Sequence, residues 1–276
     1  MILLNLFYVN VLNSQNVLLS GVYSGKKNDR CLIFIPGLGA NYSNSIIPKK
    51  IFNYCIDNNF DFLCGLNQGN GLMMEFLVYN DVKSVKKGGA AYDIYDNWYP
   101  DIKAWLDYIK DYKEIIVVAH SLGCNKIVDY LNREKNNKIS RIILLSPQDS
   151  NYLVNIDKHK GMIEEAKKNN KNILLSNLFL GFCYLSSNTF LDFYNNEKIN
   201  NIPYLSTKNY NYIKNISCPI NIIIGSSDKK DIDFKTSLEE LCELCNNVSL
   251  NIIDGANHNY NKYEDELIEL IFEIIN

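Results

Sequence analysis

One stretch constrains this chain more than any other: Ile115-Ile116-Val117-Val118-Ala119-His120-Ser121-Leu122-Gly123-Cys124. Four consecutive β-branched residues read as a buried strand. A tight turn, His120-Ser121-Leu122-Gly123, follows without a spacer. Asn125 to Arg133 then places Ile127, Val128 and Leu131 at helical spacing. Strand, sharp turn and helix leave a serine at the apex, where the backbone N–H groups that open a helix point at developing negative charge.

The remaining chain repeats that rhythm. Cys31 to Ile35, Phe60 to Leu66, Arg141 to Leu145, Pro219 to Ile224 and Val248 to Ile253 are apolar runs expected as strands. Between and after them, Asn44 to Asn58, Pro100 to Tyr112, Thr236 to Cys245 and Tyr263 to Ile275 read as helices, with Pro100 suited to a first turn. Leu3 to Leu12 and Val17 to Val22, joined at Asn13-Ser14-Gln15-Asn16, read as an antiparallel start. Alternation of this kind implies an α/β fold with a mostly parallel sheet flanked by helices. Two stretches resist it. Asn67 to Tyr99 is broken by Gly69, Gly71, Gly88 and Gly89, with Leu72 to Tyr79 open to either a short helix or a strand. Residues 150–215 are rich in Asn, Lys, Tyr and Phe and read as short helices, such as Gly161 to Lys168 and Asn188 to Tyr194, inserted over one end of the sheet.

Composition narrows the class. Of the 276 residues 47% are hydrophobic, enough for one large core, and the formal charge is −3, so no basic footprint for nucleic acid is present. Asn5, Asn10 and Asn13 interrupt the apolar N-terminus, no basic segment precedes it, and no run reaches the roughly 18 apolar residues of a membrane span. The expectation is a cytoplasmic protein with no membrane span. Eight scattered cysteines among apolar neighbours suit buried thiols better than a disulfide framework. Cys242 and Cys245 form a CxxC pair on a helix without a second pair at zinc spacing, which reads as packing.

A serine hydroxyl needs a base, an orienting acid and an oxyanion site before it is a useful nucleophile. Ser121 is the nucleophile candidate. Small residues are needed two before and two after it; Gly123 meets this, while Ala119 departs from the usual Gly-x-Ser-x-Gly. The chain has three histidines. His120 sits in the turn and is expected to pack or orient the loop. His159 lies in a lysine-flanked, surface-like stretch of the insertion. His258 follows the Val248–Ile253 strand by a short loop, at the same carboxyl edge as Ser121, and is the candidate base. Asp228 follows the strand ending at Ile224 and is the candidate acid, with Asp149 as the alternative; Asp231 and Asp233 lie further from the strand end. Backbone N–H groups of Leu122 and of Leu38, in Pro36-Gly37-Leu38-Gly39, are the candidate oxyanion donors, the glycines allowing close approach.

Ile35-Pro36-Gly37-Leu38-Gly39, Ala119-His120-Ser121-Leu122-Gly123, Gly225-Ser226-Ser227-Asp228 and Gly255-Ala256-Asn257-His258 together make the sequence resemble the α/β-hydrolase superfamily over nearly its whole length. The resemblance implies an eight-stranded, mostly parallel sheet in a single domain spanning residues 1–276, with residues 150–215 as a cap. It also implies a Ser121–His258–Asp228 triad that cleaves a small carboxylic ester or thioester through an acyl-enzyme, with no metal or organic cofactor. An acyltransferase would use the same residues. A non-catalytic relative is the reading from another class, and Ala119 is the one residue that favours it.

Overall fold

The computed structural model describes residues 6–25, 27–80, 83–135, 138–149, 159–169, 172–199, 201–202, 210–228 and 234–276. Among the described residues there are ten strands: β1 (Phe7–Leu12), β2 (Leu18–Tyr23), β3 (Arg30–Ile35), β4 (Asp61–Gly65), β5 (Met74–Tyr79), β6 (Lys83–Gly88), β7 (Glu114–His120), β8 (Ile139–Leu145), β9 (Ile220–Gly225) and β10 (Val248–Ile253). The α-helices among them are α1 (Ile47–Asp57), α2 (Trp98–Tyr108), α3 (Leu122–Arg133), α4 (Lys160–Lys168), α5 (Ser187–Asn195), α6 (Asn211–Lys214), α7 (Phe234–Leu244) and α8 (Glu264–Ile275).

Eight strands form one sheet in the order β1-β2-β4-β3-β7-β8-β9-β10. The pairs β1/β2 and β2/β4 are antiparallel, and every other neighbouring pair is parallel. Ser121 therefore leaves the centre of the sheet, and the turns after β3, β7, β8, β9 and β10 all open on one edge. Strand alternation explains the core. Cys31, Ile33, Ile35, Val117 and Ala119 join the apolar cluster on the face covered by α2 and α3. Leu32, Phe34, Ile116 and Val118 join the opposite one, with Ile51 and Phe52 of α1 and Leu267, Ile271 and Phe272 of α8.

The stretch 67–99 is more ordered than its sequence suggests. Of Leu72 to Tyr79, Met74–Tyr79 forms strand β5, which pairs antiparallel with β6 in a separate two-stranded sheet. The pattern hid this because only one residue of β5, Phe76, is buried, so the ribbon carries little periodic signal. Helix α2 begins at Trp98 rather than Pro100 and ends at Tyr108 rather than Tyr112. Trp98 itself is fully buried and supplies the earlier start. The expected helix at Thr236 starts two residues sooner and ends at Leu244. Leu3 to Asn5 of the first expected strand lie outside the described residues, as do Asp231 and Asp233.

Between β8 and β9, helices α4 and α5 pack on each other, and Ser186 N–H donates to the Ala91 carbonyl at 2.7 Å. Here one expectation fails: His159 is not at the surface but 2% exposed. Its ring lies 4.9 Å from that of Phe179 and faces the edge of Phe190. Lysine neighbours in sequence do not prevent burial when the imidazole joins an aromatic cluster. Among the described residues no helix is long and apolar enough to cross a membrane.

A polar layer lies inside the apolar one. Lys126 on α3 pairs with Asp93 at 3.1 Å, each side chain 1% exposed. The ammonium also donates to Asn67 Oδ1 at 3.1 Å. Nearby, Asp101 accepts from Asn13 Nδ2 and from the backbone and side chain of Gln68. Burial pushes the Asp101 pKa up to about 6 against the pull of those hydrogen bonds. Removing one partner of a buried pair strands the other charge. Lys126→Met is thus expected to lower the unfolding free energy by about 3–5 kcal/mol, and Asp93→Leu combined with it to recover much of that loss; urea denaturation of the three proteins measures both.

Candidate active site

The site is built at the carboxyl edge of the sheet. Ser121 sits between β7 and α3 with φ 54° and ψ −125°, a backbone conformation that side chains rarely adopt. Its N–H donates to the Leu145 carbonyl at 2.9 Å, tying the turn to the end of β8. Gly123 supplies the close packing: a Cβ there would lie 2.5 Å from the Ile35 carbonyl oxygen and 2.8 Å from that of Pro36. Gly37 plays the same part on the facing loop, where a Cβ would meet the Ser121 Cβ at 2.9 Å. Ala119 is fully buried in β7 and its methyl joins the apolar core, so the departure from glycine is accommodated.

Ser121 Oγ lies 2.9 Å from His258 Nε2. The other ring nitrogen, Nδ1, lies 3.1 and 3.2 Å from the two carboxylate oxygens of Asp228. A carboxylate only accepts, so Nδ1 carries the hydrogen, and neutral Nε2 is left with its lone pair toward the serine. Asp228 is held at the end of β9 by its N–H donating to the Gly225 carbonyl, and its side chain is 6% exposed. His120 lies beneath this pair: its Nε2–H donates to the His258 carbonyl at 2.9 Å, and the two rings are 5.1 Å apart. It orients the loop, as its place in the turn suggests. Asp149 is 4% exposed, past the end of β8.

The structure also brings in a residue that sequence reasoning missed. The Gln148 side-chain oxygen is 3.2 Å from Ser121 Oγ, and its backbone carbonyl accepts from Asn125 Nδ2 at 3.0 Å. Its position just past β8 was the available signal, since that edge delivers side chains to the site. Leu38 and Leu122 line the same cavity as Ser121 and His258. The cavity, about 240 Å³, is also lined by Phe179, Leu180, Phe182 and Phe193. Phe190, from the same segment, belongs to the apolar core, and Tyr184 is exposed.

The sequence model of the family described as serine hydrolase matches residues 81–176. Solved structures agree over the whole length. Est1E from Butyrivibrio proteoclasticus, determined with ferulic acid, superposes with a TM-score of 0.66 at 16% identity, covering 96% of this chain and 97% of that one. An esterase of Pyrococcus furiosus does so with a TM-score of 0.62 at 19% identity, covering 98% and 91%. The chain has the α/β-hydrolase fold. A deformylase of Pseudomonas putida S16 shares the fold with a TM-score of 0.58 at 12% identity, covering 96% and 99%. No curated protein matches the chain in sequence.

Because the two obstructing carbonyls at Gly123 are backbone, the fold has no cheap way to relax around a methyl. Gly123→Ala is expected to cost about 1–3 kcal/mol of overpacking, read as a lower urea midpoint; an unchanged midpoint would mean that β3 and α3 are not in this contact.

Proposed function

We propose that the chain is a serine esterase in which Ser121, His258 and Asp228 act as nucleophile, base and orienting acid. The observation that carries this reading is the continuous hydrogen-bonded path from Asp228 through His258 to Ser121 Oγ at the mouth of an apolar cavity. Ser121 Oγ attacks the ester carbonyl as its proton passes to His258 Nε2. The carbonyl oxygen becomes an oxyanion facing the N–H groups of Leu38 and Leu122. As the tetrahedral intermediate collapses, the bond to the leaving oxygen breaks and that oxygen takes the proton from Nε2. An acyl-Ser121 remains. Water then attacks it, giving its proton to Nε2, and collapse returns the proton to Ser121 Oγ and releases the carboxylic acid. A thioester follows the same path with sulfur as the leaving atom. Asp228 keeps the ring in the productive tautomer and stabilises the imidazolium.

In this reading the chain is one catalytic domain, with residues 150–215 as a cap that carries Phe179, Phe182 and Phe193 to the acyl side of the site. At about 240 Å³ the cavity is smaller than the usual ligand pocket, so the acyl group is short or a single aryl ring. Est1E was determined with ferulic acid, an aryl acid of that kind. The chain's free thiols, most of them buried, suit a cytoplasmic location.

A fluorophosphonate probe is expected to label the wild type and not Ser121→Ala. On p-nitrophenyl esters, rate should peak with short or aryl acyl groups and fall with longer chains. Asp228→Asn, which disturbs the tautomer of His258, is expected to lower kcat roughly 10³–10⁴-fold, while Asp149→Asn stays within severalfold of wild type. Loss confined to Asp149→Asn would reassign the acid, and a folded wild type that takes no label would overturn the reading.

A further inference from the structure

The loop that carries Leu38 is held from behind by the segment Gly69-Asn70. Asn70 Nδ2 donates to the Gly37 carbonyl at 3.2 Å. One residue on, Gly39 N–H donates to the Gly69 carbonyl at 3.3 Å. The two peptide groups flanking Leu38 are thus both bound to the same two residues. Asn70 is fully buried, and its Oδ1 accepts from Asn67 N–H at 2.7 Å, which fixes which end of the amide faces Gly37.

The Gly37 carbonyl and the Leu38 N–H belong to one planar peptide unit and point in opposite directions. A donor that seizes the carbonyl from the protein side therefore turns the N–H toward the site, and it polarises the unit so that the N–H is a better donor. Ala40 N–H also reaches the Gly37 carbonyl, at 3.2 Å, but it lies in the same turn and moves with it. Asn70 instead connects the turn to the scaffold. Asn67, its neighbour, accepts from Lys126 Nζ and from Gly69 N–H. Lys126 lies one turn into the helix that begins with Leu122.

We propose that Asn70 is a positioning residue that aims the Leu38 N–H at the oxyanion and, through Asn67 and Lys126, keeps it in register with the Leu122 N–H. The proposal rests on the esterase reading of Ser121. It adds a part of the machinery that touches no substrate. It also gives a reason for the buried Lys126–Asp93 pair beyond stability: the pair fixes the separation of the two donors.

The test compares wild type, Ser121→Ala, Asn70→Ala and Asn70→Asp on one p-nitrophenyl ester between pH 5 and 8.5, with circular dichroism to establish folding. Asn70→Ala is expected to lower kcat about 10- to 100-fold, less than the full loss of an oxyanion donor, with KM within about twofold of wild type. The difference belongs in kcat because the oxyanion forms only after substrate is bound. Asn70→Asp is nearly isosteric and guards against an Asn70→Ala that does not fold. At high pH it sets a carboxylate against the Gly37 carbonyl and should be as slow as Asn70→Ala. At low pH the protonated carboxyl can donate again, so the ratio of its kcat to that of wild type should rise severalfold as pH falls. A merely structural role gives no such recovery. An Asn70→Ala kcat within twofold of wild type, a loss carried by KM, or a pH-independent Asn70→Asp ratio each overturns the proposal. Full activity in Ser121→Ala would instead bring down the esterase reading on which it stands.

Discussion

The backbone of Ser121 is the point on which the rest of the site depends. Holding a non-glycine residue at φ 54° costs about 1–3 kcal/mol, and that cost is met only because the surroundings leave no alternative. The β7 strand is fixed between β3 and β8 by six-residue parallel registers on both sides. The Leu145 carbonyl takes the Ser121 N–H, and the Cys124 thiol shares its one hydrogen between the Ala119 carbonyl at 3.2 Å and the Leu145 carbonyl at 3.4 Å. Relaxing the turn would break these bonds and drive α3 into the Ile35 and Pro36 carbonyls. The same conformation that is strained for the chain lifts Oγ out of the sheet, to where His258 meets it.

What surrounds the turn is graded by its polarity. Directly under it, contacts are apolar and tight, as expected of a parallel sheet buried on both faces. Further along α3, the buried face turns polar: Asn125 donates to the Gln148 and Ile199 carbonyls, and Lys126 pairs with Asp93. These residues bind segments outside the strands and α-helices, namely 67–71, 148–149 and the short 3-10 turn Glu197–Ile199. A loop cannot be held by strand hydrogen bonds, and a purely apolar contact would let it slide. Buried, directional hydrogen bonds fix it in one register at the cost of desolvating a charge.

The sheet was legible in the sequence because a strand buried on both faces writes itself as an unbroken apolar run, and β3, β7, β8 and β9 do so. The residues that meet around Ser121 were legible for a related reason: each stands a few positions past the end of a strand, where a parallel sheet must deliver it. The hairpin β5–β6 was not, since a ribbon exposed on most of its surface has no reason to alternate. His159 misled because its lysine neighbours describe only its sequence surroundings, whereas its burial is decided by Phe179 and Phe190, twenty and thirty-one positions away. Gln148, Asn70 and Lys126 carry no local pattern. A buried polar side chain is identified by its partner, and the partner is known only once the chain has folded.

Gln148 shows what that limit means for chemistry. Ser121 has one hydroxyl hydrogen, and two groups compete for it: His258 Nε2 at 2.9 Å and the Gln148 side-chain oxygen at 3.2 Å. On the proposed esterase reading, a hydrogen given to Gln148 leaves the serine unactivated, whereas one given to His258 readies it for attack. The shorter distance favours the histidine. The Gln148 contact is also expendable in a way the histidine contact is not, because the Gln148 backbone is anchored separately through Asn125. Gln148, His258 and Ser121 line one cavity; on the proposed esterase reading, a ligand group that displaced the carboxamide would leave His258 as the acceptor for the serine hydrogen.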